Sequence, residues 1–219
     1  MKKYLFILLF TPLLIACANK SLQLPQVAVS GVSNIQNHTE IWVFYKFDDQ
    51  KVQADINKNN TISTTHWIIN IDKRLPMDEV IPVLQMVKAK RAKKTIHSVD
   101  GVHDYLSYSD ILDKKIALFQ IDGIQYLTLT NAEIRTVEKE KPCNYTLIFS
   151  NDYFMINSKR YARSEWSQSL FTSMQKSCIQ LQLDANLNYQ NYMKYRLELN
   201  TFLPKSSTVE ATEYLLNNK

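Results

Sequence analysis

The sequence contains very little glycine, with only three glycines in 219 residues. A P-loop or a dinucleotide-binding fingerprint needs two or three glycines within a few positions, so both kinds of phosphate-binding loop are excluded. Collagen-like and flexible-linker sequences are excluded by the same scarcity. Hydrophobic residues make up 45% of the chain, aromatic residues 11% and charged residues 21%. This composition predicts a folded protein with a sizeable apolar core and not a disordered chain.

The chain also lacks an apolar run long enough to cross a membrane. Its longest run covers Tyr4–Ile15, whereas a spanning helix needs about 20 apolar residues. Lys2 and Lys3 precede this run. A positive start followed by a short apolar segment is typical of a secretory signal peptide, so we expect an exported protein.

The signal segment ends in the residues LIAC, which close on Cys17 and resemble the lipobox of bacterial lipoproteins. The resemblance implies that residues 1–16 are removed and that a lipid-modified Cys17 anchors the mature protein to the membrane. The alternative is an ordinary signal peptide that carries a cysteine by chance. Because Ala18 and not an aspartate follows the cysteine, the resemblance further implies a lipoprotein of the outer membrane that faces the periplasm.

Removal of the signal would lower the formal net charge from +5 to +3, because two lysines leave with it. Such a mild excess on an exported protein is not the footprint of a nucleic-acid-binding surface, so no nucleic-acid partner is expected.

Two cysteines remain beside Cys17, namely Cys143 and Cys178. An even pair in an oxidising compartment predicts a disulfide, and the alternative is two buried free thiols. No spacing of cysteine and histidine indicates a zinc site or a nucleophile with its base.

The pattern of apolar residues gives the expected element order. Residues 17–38 are polar with scattered small apolar residues and are interpreted as a lipidated tether. Alternating or dense apolar residues predict strands over 40–48, 51–56, 67–71, 96–99, 114–121, 124–130, 145–149, 153–156 and 179–183. Helical spacing and end signals predict helices over 76–94, 163–174, 189–202 and 209–216.

Three connecting stretches are interpreted from composition. Residues 100–113 are predicted to form a polar loop with tyrosines. Asp122-Gly123 is a hairpin signal between the two strands that flank it. The charged stretch 133–141, which precedes Pro142, is predicted to mark a boundary between two domains.

The two halves of the chain resemble each other when Asp72 is superposed on Asp184, which also sets Leu75 on Leu187. Both copies follow the order strand, aspartate, short turn, leucine and helix. A repeat of this length predicts two copies of a domain-sized unit. The alternative is chance similarity between two ordinary α/β segments.

This pattern resembles the periplasmic domain of the ExbD/TolR biopolymer-transport family. The second half resembles it more closely, with a hairpin, a helix, a strand that ends at Asp184 and a helix that begins at Tyr189. The resemblance implies an α+β fold of two small sheet-plus-helix modules, over residues 39–135 and 140–219.

The departures from that family limit the function that the resemblance implies. Family members carry an N-terminal transmembrane helix with an aspartate that handles protons, and this chain has no such helix. What remains is a non-enzymatic binding or scaffold role in the cell envelope. The implied partners are the membrane through the lipid anchor, an envelope protein or peptidoglycan, and a second copy of the chain in a homodimer.

Six residues are candidates for contact with such a partner, and each also has an ordinary structural interpretation. The aspartates would cap turns, the tyrosines at helical spacing would pack in a half-buried face, and the cations would suit a helix C-terminus. The six are Asp72, Asp184, Tyr189, Tyr192, Lys90 and Arg91.

No catalytic residue, metal site or cofactor is predicted. His97, Asp100, His103 and Asp104 carry metal-ligating atoms, but their spacing is loose and no third histidine is near. No serine lies in a nucleophile elbow. The alternative function is a lipid-anchored periplasmic hydrolase, whose paired carboxylates need no sequence motif, or a metal-binding protein.

Overall fold

The computed structural model describes residues 21–57, 61–93, 100–140 and 143–217. These residues form two six-stranded sheets and three α-helices, so the fold is α+β with two sheet modules, as expected. The strands are β1 (Gln26–Val27), β2 (His38–Asp48), β3 (Lys51–Ile56), β4 (His66–Ile71), β5 (Asp104–Asp110), β6 (Lys115–Gln120), β7 (Gln125–Thr130), β8 (Tyr145–Phe149), β9 (Tyr153–Ile156), β10 (Lys159–Ala162), β11 (Cys178–Asp184) and β12 (Thr208–Asn217). The helices are α1 (Met77–Ala92), α2 (Asn131–Glu140) and α3 (Tyr189–Phe202).

The first sheet has the order β1-β5-β4-β2-β3, with β6 paired to β5. Strands β2 and β3 form an antiparallel hairpin, and β2, β4 and β5 run parallel, with α1 connecting β4 to β5. Helix α1 begins after Pro76, carries acidic residues in its first turn and ends at basic ones, as the helix dipole favours. Ile69 and Ile71 of β4 are fully buried in one apolar core with Leu84 of α1, and this core extends into the second sheet.

The second sheet has the order β10-β9-β8-β11-β12-β7. It repeats the hairpin, parallel strand, helix and parallel strand of the first sheet, with α3 connecting β11 to β12. Its last strand is β7, which comes from the N-terminal half of the chain and pairs in parallel with β12. The chain therefore passes from one sheet to the other between Gln120 and Gln125, upstream of the stretch expected to separate residues 39–135 from 140–219. The predicted hairpin at Asp122-Gly123 is wrong, since β6 pairs with β5 and β7 with β12.

The predicted repeat is present in the backbone hydrogen bonds between the two halves. The Met77 N–H donates to the Leu187 carbonyl, and the Tyr189 N–H donates to the Leu75 carbonyl, both at 2.8 Å. In a second matched pair, the Asp78 N–H donates to the Ala185 carbonyl and the Gln190 N–H donates to the Lys73 carbonyl, both at 3.0 Å. In each pair, the alignment of the two halves maps the residues of one hydrogen bond onto the residues of the other. The two strand-to-helix turns therefore face each other around a pseudo-twofold axis.

The segment predicted to be a tether is instead packed on the first sheet, as far as the described residues 21–37 show. Its strand β1 pairs in parallel with β5, and Val27 is buried. The Lys73 N–H donates to the Gln23 carbonyl, and the Leu118 N–H donates to the Val32 carbonyl. The prediction was wrong because backbone hydrogen bonds hold this segment, and such bonds leave no periodic pattern in the sequence.

Three other predictions of secondary structure were wrong. Residues 209–216 belong to strand β12 and not to a helix, because parallel neighbours on both sides supply their backbone partners. Residues 104–110 of the predicted loop form the buried strand β5. Residues 163–174 form only two short 3-10 turns, at 163–165 and 168–170, because Trp166 and Phe171 turn inward to pack with other aromatic rings. The charged stretch that was expected to mark a boundary lies largely in α2.

Some predictions lie outside the described residues. They are the signal peptide over residues 1–16, the lipid site at Cys17, the strand over 96–99 and the candidate ligand His97. Within the described part of the chain, no helix is both long and apolar enough to span a membrane.

Candidate functional site

The first candidate aspartate, Asp72, is fully buried at the end of β4 and has a structural role. Its carboxylate accepts hydrogen bonds from the Arg74 guanidinium at 2.7 and 2.8 Å, from the Arg74 N–H at 3.0 Å and from the Gln23 N–H at 3.2 Å. Burial alone would raise the pKa of Asp72, but these hydrogen bonds outweigh it and hold the pKa below its ordinary value. Asp72 is therefore not a partner-binding residue, and it fixes the turn and the N-terminal segment.

Its counterpart, Asp184, is partly exposed and has weaker partners. It accepts a hydrogen bond from the Asn186 N–H at 2.9 Å and a long one from the Ser150 hydroxyl at 3.5 Å. The first of these bonds is the counterpart, in the repeat, of the bond from the Arg74 N–H to Asp72. Asp184 thus keeps the turn-capping role that was the alternative interpretation.

Tyr189 and Tyr192 are fully buried, so the expectation that they contact a partner is wrong. The Tyr192 hydroxyl donates to Glu213 at 2.8 Å, and the Arg196 Nε donates to the same carboxylate at 2.7 Å. Burial, together with the charge of Glu213, raises the pKa of Tyr192 well above its ordinary value. Tyr192, Arg196 and Glu213 form a buried polar network, which is a structural role, whereas the buried Tyr189 hydroxyl has no hydrogen-bond partner among the described residues.

The two basic candidates at the end of α1 differ from each other. Arg91 donates to Asp104 at 2.7 and 2.9 Å and lies over the Trp67 ring at 3.6 Å, so it is committed to the fold. Burial raises the pKa of Asp104 although Arg91 opposes this. Lys90 is exposed, and its ammonium group donates a hydrogen bond to the Thr61 hydroxyl. Of the six candidates, Lys90 alone is exposed at the surface, and Asp184 and Arg91 are partly buried.

Cys143 and Cys178 form a disulfide with their Cα atoms 4.8 Å apart. It joins the residues just before β8 to the first residue of β11, two strands that are already paired in parallel. The bond reinforces the centre of the second sheet.

The described histidines do not assemble a metal site. His103 Nδ1 lies 2.5 Å from Asp122 Oδ2, and the His103 N–H donates to His66 Nδ1 at 3.0 Å. Asp104, which was considered as a ligand with His103, is bound by Arg91 instead. Among the residues that the structure describes, no group of three or more histidine, cysteine or acidic side chains could hold a metal ion.

The best candidate for a binding site is a pocket on the outer face of the first sheet, opposite the face that joins the core. It has a volume of about 290 Å³, close to the lower end of the range for small-ligand sites. Its apolar part contains Leu24, Ile35, Trp42, Ile68, Ile116 and Leu118, and its polar part contains Asn34, His38, Glu40 and Asn70. We call this cleft the outer-face pocket.

One polar atom in the outer-face pocket has no hydrogen-bond partner in the described structure. Asn70 is only 5% exposed, and its Oδ1 accepts a hydrogen bond from the Ser107 hydroxyl at 2.6 Å. Its Nδ2 group is buried and donates to no acceptor among the described residues. An unsatisfied buried donor costs about 1–3 kcal/mol, and most buried polar groups are paired. The Asn70 amide is therefore a donor that a ligand oxygen could satisfy.

The second module provides an internal comparison for this donor. In the superposition of the two halves, Asn70 corresponds to Gln182, which is also buried on the outer face of its strand. The Gln182 amide donates to Glu138 of α2 at 2.7 Å and to Gln180 at 3.0 Å. Helix α2 packs against β7 and β12 and so closes this face of the second sheet. The first sheet has no helix at the equivalent place in the described chain, and its buried donor has no acceptor among the described residues.

No protein family model, characterised protein or solved structure matches the chain.

Sequence reasoning missed the outer-face pocket. Its residues come from several strands and from the segment that was interpreted as a tether, so no local motif marks it. One signal was available: in the repeat, Asn70 and Gln182 place amides at the same position of the two matching strands. A shared buried amide in such a strand needs a partner, and that requirement could have indicated a site.

Proposed function

We propose that this protein is a lipid-anchored lipoprotein of the cell envelope that acts as a non-enzymatic binding module and faces the periplasm from the outer membrane. Its ligand in this proposal is peptidoglycan or an envelope protein partner. The anchor rests on the lipobox-like residues that end at Cys17. The observation that carries the binding role is the unpartnered Asn70 amide in the outer-face pocket.

The chemistry of the pocket favours a sugar of peptidoglycan over a protein segment. Trp42 offers an aromatic face on which the C–H face of a sugar ring can pack. The Asn70 amide would donate to the carbonyl oxygen of an N-acetyl group, which is present on the sugars of peptidoglycan. Glu40 and His38 at the rim could bind sugar hydroxyls. A pocket of this small volume suits one sugar ring better than a folded partner.

Binding to purified sacculi tests the proposal. The detergent-solubilised full-length chain is mixed with sacculi, sedimented, and assayed for the bound fraction with and without soluble N-acetylated glycan fragments. The wild type should sediment with sacculi and be displaced by the fragments. Asn70→Asp replaces the donor with an acceptor and should weaken binding about tenfold or more, since about 1.4 kcal/mol corresponds to a factor of ten. Trp42→Ala should weaken it to a similar extent.

Phe47→Ala is the matched control, because it removes an exposed aromatic ring on the same strand as Trp42 but outside the pocket. It should bind sacculi like the wild type. Thermal unfolding of each variant shows whether the fold is kept. Failure of the wild type to bind sacculi or fragments would refute peptidoglycan as the ligand, and equal binding by folded Trp42→Ala and Asn70→Asp would refute the pocket as the site.

A further inference from the structure

We infer that one edge of the first sheet rests on the surface of the membrane that holds the lipid anchor. This edge consists of the two hairpin turns at residues 46–51 and 111–115, and we call it the hairpin edge. The inference rests on the proposed anchor at Cys17. It goes beyond the proposed function in two ways. It assigns an interaction surface that contacts a lipid bilayer, and it gives the orientation of the outer-face pocket relative to that bilayer.

The register of the sheet places both turns at the same end. Ile41, Ile69 and Leu106 form one row across the parallel strands β2, β4 and β5. The β2–β3 pairing extends to Asp48, seven residues beyond this row, and the β5–β6 pairing extends to Asp110, four residues beyond it. Because the three strands run parallel, the two turns project in the same direction.

The hairpin edge carries exposed apolar side chains at its tips. Phe47 is 63% exposed, Ile111 is 51% exposed and Leu112 is 61% exposed. Single exposed apolar residues are ordinary, but here three of them lie in two turns that project from the same end of the sheet. Apolar and aromatic side chains of this kind are favoured in the headgroup region of a bilayer.

The charges of the hairpin edge indicate which kind of contact it can make. The Lys46 Nζ lies 2.6 Å from an oxygen of Asp48, and the Lys115 Nζ lies 2.8 Å from an oxygen of Asp113. The whole edge carries four lysines and three aspartates, a formal net charge of +1, so it offers no strong attraction for anionic lipid. Contact through apolar insertion is therefore expected to be insensitive to salt.

The length of chain between the anchor and the described structure allows this edge to reach the membrane. Cys17 precedes Ser21 by four residues, which span at most about 14 Å when fully extended. Ser21 borders the same cleft as Tyr45, Lys46 and Arg74, beside the hairpin edge. The opposite end of β2, at His38, lies about 30 Å from Asp48 along the strand. The short connection therefore keeps the hairpin edge, and not the opposite end, against the bilayer.

This orientation places the outer-face pocket above the membrane and open to the side. Trp42 lies six residues back along β2 from Asp48, or about 20 Å from the tip. A sugar polymer running parallel to the membrane could then reach the pocket without displacing the protein from lipid.

Quenching of tryptophan fluorescence by brominated lipid tests the contact. The lipidated full-length protein is reconstituted into phosphatidylcholine vesicles, with and without phosphatidylglycerol, and compared with vesicles of the same lipids brominated on the acyl chains. Phe47→Trp and Leu112→Trp should each lose about half of the emission that they add to the wild type. Leu127→Trp, at an exposed leucine on β7 of the second sheet, is the matched control and should lose none. Sodium chloride should not relieve the quenching.

Flotation of the wild type with the vesicles distinguishes a failure of the lipid anchor from a failure of the membrane contact. If the protein does not float, the anchor fails, and both the proposed localisation and this inference are refuted. If it floats and the added emission of Phe47→Trp and Leu112→Trp is unquenched, or equal to that of Leu127→Trp, the membrane contact alone is refuted. Sacculus binding by Phe47→Trp should remain equal to that of the wild type, because the pocket is distant from the tip.

Discussion

The repeat supplies a matched pair of substitutions, Asp72→Asn and Asp184→Asn, whose effects on stability should differ strongly. Both aspartates end a strand and cap the same turn. Only Asp72 is fully buried and bound by a guanidinium, whereas Asp184 is partly exposed. We expect Asp72→Asn to lower the free energy of unfolding by about 2–4 kcal/mol and Asp184→Asn by less than about 1 kcal/mol.

The size of each expected loss in stability follows from the hydrogen-bond partners of each carboxylate. An asparagine at residue 72 keeps one acceptor oxygen for the Arg74 N–H and Nε, but it turns an NH₂ group toward the Gln23 N–H and the Arg74 Nη2. Two hydrogen bonds to a charged group are lost, each of which contributes about 1.5–3 kcal/mol when buried. The sum is reduced because the Arg74 side chain is 39% exposed and so partly solvated. At residue 184 the short bond from the Asn186 N–H can persist, and only the long bond from Ser150 is lost.

Urea unfolding at pH 7 and at pH 3 measures these differences. The pKa of Asp72 is held below its ordinary value by its hydrogen bonds, so the stability it contributes is present above an ordinary pKa of about 3.9 and is lost as the pH falls through the folded value. The difference in the free energy of unfolding between the wild type and Asp72→Asn should therefore become smaller at acid pH. Equal losses for the two variants at pH 7, or a gap that stays constant with pH, would refute the reasoning.

Three further predictions concern the network, the disulfide and the N-terminal segment. Arg196→Leu should lower the free energy of unfolding by about 3–5 kcal/mol because it leaves Glu213 buried without its cation, and adding Glu213→Leu should restore much of it, as measured by urea unfolding. Cys178→Ser removes a disulfide across a sequence separation of 35, and it should lower stability by about 3–4 kcal/mol in a melt under non-reducing conditions. Gly31→Ala should speed amide exchange in residues 21–37, because its Cβ would collide with the Tyr108 hydroxyl, whereas Gly123→Ala, which meets nothing within 4 Å, should not.

Local patterns predicted the repeated unit of the fold. The strand, aspartate, turn, leucine and helix of each half are recorded in consecutive residues, and both helices begin where expected, at Met77 and Tyr189. The superposition of Asp72 on Asp184 relates the hydrogen bonds of the two turns because the same local pattern was used twice. Predictions that needed only neighbouring residues were thus correct for this unit.

Pairings between distant residues were not predictable in the same way. Strand β7 follows β6 after a turn signal at Asp122-Gly123, and nothing in either strand records that β7 pairs with β12. The segment 21–37 is held by backbone groups of strands far along the chain, so its composition resembles that of a linker. The burial of Tyr189 and Tyr192 followed from this same assembly, because residues of β7 and β12 enclose the start of α3.

The two copies of the module differ in the partner of one buried amide. A duplicated module places a buried amide on the outer face of each sheet, at Asn70 and at Gln182. The second copy satisfies its amide from within, because Glu138 of α2 accepts its hydrogen bond. The first copy has the same need, and the described chain supplies no acceptor for Asn70. An apolar side chain at residue 70 alone would also remove the acceptor of the buried Ser107 hydroxyl, whereas replacing both partners of this hydrogen bond by apolar groups removes the unpaired donor and should leave stability unchanged or higher. The double variant Asn70→Leu/Ser107→Ala therefore separates the two explanations: unchanged or higher stability with loss of sacculus binding indicates a donor retained for a ligand, and the same stability with binding unchanged indicates a remnant.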